Sequence, residues 1–143
     1  MTRLNRATAI ALFAAAAASS PAAAQIDPSD PYGRGAQRGI GQVNDSGQVG
    51  TVTLFGHGAR TTVVVDMHGV PAGKVESVAI VRTFSCSPRV TNAPAYALSE
   101  LRGARSETTV DAPVAKLLSG NYGVVVASKE QRSHLFACGH LFT

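Results

Sequence analysis

Downstream of residue 45 the chain alternates apolar and polar positions in short runs, each closed by glycine, proline or a small polar cluster. Gln48 to Phe55 (QVGTVTLF) is rich in β-branched residues and ends on the turn Gly56-His57-Gly58. Arg60 to Met67 (RTTVVVDM) follows, and a period of two puts Thr61, Val63, Val65 and Met67 on one face. Asp66 then falls on the opposite, solvent-facing side. Gly69 to Gly73 (GVPAG) breaks the run, and Val75 to Phe84 (VESVAIVRTF) predicts a third strand. Irregular sequence with Pro88 and Pro94 comes next, then weaker strand signals at Tyr96 to Leu101 and Glu107 to Val110. Pro113 opens a short helical turn to Leu118 that offers Val114, Leu117 and Leu118 to a core. Tyr122 to Ala127 and His134 to Phe142 complete the set. About seven to eight short strands with turns roughly every 8–12 residues predict an all-β fold, a Greek-key sandwich or barrel of antiparallel strands.

The first 44 residues follow other rules. Arg3 and Arg6 precede an apolar run from Ala7 to Ala18, Ser19-Ser20-Pro21 breaks it, and Ala22-Ala23-Ala24 offers a small-residue cleavage site. That is the pattern of a signal peptide over residues 1–24, and the run is shorter than the roughly 20 apolar residues of a membrane span. Residues 25–44 are rich in Pro, Gly, Asp and Arg and read as a flexible N-terminal arm, which leaves 45–143 as one β-domain. The spacing Gly33-x-Gly35-x-x-x-Gly39 has no strand before it and no helix after it, so it is not a phosphate loop. The expected address is the periplasm or the exterior, with no further membrane span.

Composition narrows the picture. The whole chain has 13 Lys and Arg, 9 Asp and Glu, and a formal net charge of +4. Removing Arg3 and Arg6 leaves 11 basic residues scattered singly against 9 acidic ones, with no basic stripe and interleaved aromatics for nucleic acid. The two cysteines, Cys86 and Cys138, are expected to form one intramolecular disulfide in an oxidising compartment, worth roughly 4 kcal/mol by loop-closure entropy. A thiol metal site or redox pair is the alternative, without the CxxC spacing of those roles.

Two segments resemble the copper,zinc superoxide dismutases. One runs from Gly69-Val70-Pro71-Ala72-Gly73 through Val78-Ala79-Ile80-Val81 to Ser85-Cys86; the other joins Gly120-Asn121-Tyr122-Gly123-Val124-Val125-Val126-Ala127 to Leu135-Phe136-Ala137-Cys138-Gly139. The resemblance covers about Gln48 to Leu141 and implies a Greek-key β-sandwich with Cys86 bridged to Cys138. It also puts the family's His-x-His copper pair at Ala79 and Val81, its third copper histidine at Val126, and its superoxide-steering arginine at Leu135. No zinc-loop histidine or aspartate lies between Cys86 and Gly103. Alanine and valine have no lone pair for copper, so the resemblance implies a pseudoenzyme with no catalytic residue, metal or cofactor. Chordin-type repeats share the turn and the glycine-tyrosine-valine strand, so a chordin-repeat-like envelope domain is a competing reading.

Four histidines remain as candidate metal ligands: His57, His68, His134 and His140. His57 and His68 flank one predicted strand, and His134 and His140 share one face by count, but no two have a recognised ligand spacing. A copper-handling protein using them is the alternative to a non-catalytic binding or structural module of the envelope. Tyr96, Arg82 and Arg89 form a candidate binding patch near the disulfide. The partner is unknown, and a homodimer is compatible with the dismutase resemblance.

Overall fold

The computed structural model describes residues 35–82, 86 and 93–142. The proposed signal peptide, the first part of the arm, the end of the third predicted strand and Arg89 lie outside these residues. The described elements are β1 (Ala36–Gln42), β2 (Val49–His57), β3 (Arg60–His68), β4 (Glu76–Arg82), β5 (Tyr96–Ala97), β6 (Arg105–Val110), α1 (Val114–Ser119), β7 (Tyr122–Ser128) and β8 (Leu135–His140). Eight antiparallel strands form a nearly closed, barrel-like sheet in the order β5-β4-β7-β8-β1-β2-β3-β6.

The alternation that predicted the strands is the alternation that fills the barrel. Val52 and Leu54 from β2, with Val63, Val65 and Met67 from β3, point inward beside Val78, Ile80, Val124 and Val126. Thr61 shares that inward face because its Oγ1 donates to the Ala112 carbonyl (2.7 Å). Asp66 faces out and pairs with Arg105 (3.2 Å). Val114 and Leu117 of α1 are fully buried in the same core.

The segment expected to be flexible is corrected at residues 36–42, which form β1. Its residues 36–40 pair with β2, whereas Gly41 and Gln42 pair with Cys138 and Ala137 of β8. β1 therefore joins the two halves of the sheet, and Ile40 enters the core. Gly139 is required where this happens: a Cβ there would collide with the Gly39 carbonyl of β1. The far seam, between β5 and β6, closes through side chains. Thr108 Oγ1 accepts from the Ser99 amide (2.7 Å), and Ser106 Oγ donates to the Ser99 carbonyl (2.6 Å). The Leu101 amide donates to the Glu76 carbonyl (2.9 Å), tying β4 to the same seam.

The disulfide joins Cys86, just beyond β4, to Cys138 in β8, with a Cα–Cα distance of 5.6 Å. In the sheet β7 lies between β4 and β8, so the bridge spans a whole strand.

Candidate functional site

β4 and β7 are apolar on both faces, the mark of strands covered on both sides. While Val78 and Ile80 fill the barrel, Ala79 and Val81 point outward, where Val125, Ala127, Leu135 and Cys138 join them in a second buried cluster. Register explains the grouping. Ala79 lies opposite Val125, and Val125 opposite Cys138, so these side chains line up across three strands.

A cavity of about 620 Å³ lies over this outer face. Its floor is Ala79, Val81, Val125, Ala127 and Leu135, and its side is built by Ala93, Pro94, Ala97 and Leu98 from the segment around β5. The volume falls in the range of small-molecule sites, roughly 300–1,000 Å³. Polar groups stand at its margin: Ser77, Glu100, Arg132 and Ser133. Glu100 is engaged by Lys129 (2.9 Å) and Arg102 (3.2 Å). The Lys129 contact holds its carboxyl below the usual carboxylate range. Arg132, which also lines the groove, makes no ion pair or hydrogen bond among the described residues. The Cys86–Cys138 bridge lies next to the opposite end, beyond Val81, where His140 Nε2 accepts from the Cys86 amide (3.1 Å) and the imidazole stacks on Phe142. The groove offers apolar contact along its length and charge at one margin, which is the chemistry of holding a ligand.

The positions that the dismutase resemblance assigned to copper and superoxide divide between two faces. Ala79, Val81 and Leu135 lie in the outer cluster, but Val126 points into the barrel core between its neighbours Val125 and Ala127. Ligands of one ion must converge, so Val126 cannot complete a set with Ala79 and Val81. On β7 the outward positions beside that pair are Val125 and Ala127.

The histidines do not gather. His57 pairs with Arg60 and Val49 pairs with His68, so His57 and His68 occupy opposite ends of the β2–β3 hairpin, about 27 Å apart along the strands. Flanking one strand does not bring them together, because the strand's full length lies between them. Counting by twos from His134 to His140 also fails. A bulge where β7 meets β8, between Val126 and Ala127, shifts the alternation, and Leu135 and Cys138 both face outward. Among the described residues no group of three or more His, Cys, Asp or Glu is placed to hold a metal ion.

Arg82 and Tyr96 do come together, around a residue the sequence did not single out. The Arg82 guanidinium lies 5.7 Å from the ring centre of Tyr122, and the Tyr96 and Tyr122 rings are 6.0 Å apart. With Lys116 they line a second, shallower cavity of about 560 Å³; Arg89 lies outside the described residues.

A second unforeseen feature is a buried polar pair. Gln48 and Glu76 are each only 2% exposed, and Gln48 Nε2 donates to Glu76 Oε1 (2.7 Å). Among the described residues Gln48 Oε1 and Glu76 Oε2 have no hydrogen-bond partner. Burial pushes the Glu76 carboxyl above its ordinary value, against the opposing pull of the Gln48 hydrogen bond and of Lys74. The sequence signal was a glutamate at an inward position of a strand, legible only once the strand's inward face was fixed.

Comparisons of the chain with protein-family models, with curated proteins and with solved structures found no match.

Proposed function

We propose that this chain is an exported, non-catalytic binding module of the periplasm or cell exterior, and that its site is the apolar groove over the outer face of β4, β7 and β8. The single observation that carries this reading is the roughly 620 Å³ cavity floored by Ala79, Val81, Val125, Ala127 and Leu135. Three of those residues stand where the dismutase resemblance expects ionisable or metal-ligating side chains. A fold derived from that family, with its chemical face rebuilt in methyl groups, keeps a concave surface and loses the means to activate oxygen species. Such a surface gains free energy by removing apolar area from water, about 25 cal/mol for each Å² covered.

The test uses the mature chain and N-phenyl-1-naphthylamine, a neutral apolar fluorophore that brightens when shielded from water. Fluorescence should rise saturably with the wild-type chain. It should fall to background with Ala97→Trp, which places an indole over the groove from an exposed position, while the thermal unfolding curve stays in place. Equal probe binding by a folded Ala97→Trp variant would remove the groove from consideration. The same preparation, supplied with copper, is expected to dismute superoxide no faster than buffer with copper; a faster rate would overturn the non-catalytic reading.

A further inference from the structure

Resting on that reading of the groove, we propose that its ligand is a single-chain aliphatic anion, a carboxylate amphiphile whose tail lies along the β4–β7 face and whose head meets Arg132. The two ends of the groove differ. The strand positions from Ser77 to Val81 run about 13 Å, long enough for an extended alkyl chain. At the Val81 end the described lining residues, Val81, Ala93 and Pro94, are apolar. At the Ser77 end the β7–β8 connection carries Arg132 and Ser133 to the rim.

Charge accounting at that rim points to an anion. Glu100, the one acid lining the groove among the described residues, is already shared between Lys129 and Arg102. Ser128 Oγ donates to Glu130 Oε2, and neither is hydrogen-bonded or ion-paired to Arg132 among the described residues. A guanidinium without a carboxylate, next to a serine hydroxyl, is a ready partner for a planar carboxylate, which it can meet through two parallel hydrogen bonds. A cationic head would meet Arg132 as a like charge, and a neutral head would leave it unpartnered.

The experiment is calorimetric titration of the wild-type chain with decanoate, decanol and decyltrimethylammonium, each below its aggregation limit, at low salt and pH 8. Decanoate should bind about threefold to fivefold tighter than decanol, the range of a partly exposed ion pair, and decyltrimethylammonium weakest. Arg132→Gln should bring decanoate down to decanol and leave decanol unchanged, and 0.5 M salt should narrow the wild-type gap. Equal binding of decanoate and decanol would overturn the anionic head and leave the groove standing. If no ligand bound, the groove itself would fall. Two further results would also overturn the proposal by giving the face another occupant: a chain that sediments as a dimer and must dissociate before it binds, or one that binds anionic vesicles but not monomeric decanoate.

Discussion

Replacing Glu76 by glutamine should stabilise the protein at neutral and alkaline pH, although it removes a buried side chain's charge. In the folded chain Gln48 Nε2 donates to Glu76 Oε1, while Gln48 Oε1 and Glu76 Oε2 both lack a donor among the described residues. An ionised carboxylate cannot supply one. A protonated carboxyl can: its O–H is the single donor that would pair these two acceptors, turning one hydrogen bond into a reciprocal acid–amide pair. A buried acceptor left without a partner costs about 1–3 kcal/mol, so protonation recovers an energy of that order. The folded-state pKa of Glu76 is raised, so the folded state holds the proton more firmly than the unfolded chain. The stability it contributes is therefore fully present below the ordinary carboxyl value of 4.5 and is lost as pH rises through the folded-state value. Glutamine at this position mimics the protonated form at every pH. Urea unfolding followed by far-ultraviolet circular dichroism, from pH 5 to 8, should find Glu76→Gln more stable than wild type by about 1–2 kcal/mol at pH 8. The gap should narrow as the pH is lowered toward the ordinary carboxyl value. Glu100 and Glu130, whose carboxyls are held low at the surface, titrate in both proteins and cancel in the difference. A variant less stable than wild type at pH 8, or a gap that does not change with pH, would refute the reasoning.

Other expectations concern the frame. Cys138→Ala, or reduction of the wild-type bridge, should lower unfolding free energy by about 4 kcal/mol in the loop-closure treatment, and an unchanged melting temperature under reductant would contradict that. Gly139→Ala should cost about 1–3 kcal/mol because its methyl meets the Gly39 carbonyl, with faster amide exchange at Gly41 and Cys138 as the local sign. Thr61→Val keeps the shape but strips the donor from the buried Ala112 carbonyl, and should cost about 1–3 kcal/mol by urea unfolding.

The strands whose inner face is a run of valines could be read from sequence because their alternation carries its own period. The inward set Thr61, Val63, Val65 and Met67 and the helix residues Val114 and Leu117 fall where period and punctuation put them. β1 could not be read this way. AQRGIGQ has one large apolar residue and three polar ones, and what makes it a strand is its two neighbours, β2 and β8, which local propensity does not know. The groove was not read from the sequence, although the dismutase resemblance drew attention to some of its residues as lost ligand positions. Cysteine context identified Ala79, Val81 and Leu135, but placing Val126 with them took a count of residues where only register decides the face. Arg132 and Tyr122 gave no local signal at all; their roles come from what the fold sets beside them.

The bridge from Cys86 to Cys138 has a mechanical consequence. It closes 52 residues of chain, with β5, β6, α1 and β7 inside the closed segment and β1 to β4 outside it. A pull on the two ends of the oxidised chain passes through the sulfur atoms and leaves the enclosed segment slack. Such a load can peel away β1 to β4 and the end of β8 beyond Cys138, then stops, with roughly 170–190 Å of contour length still held in reserve. Only reduction releases it, so the thiol state of the surroundings would set how far a molecule tethered at both ends can stretch.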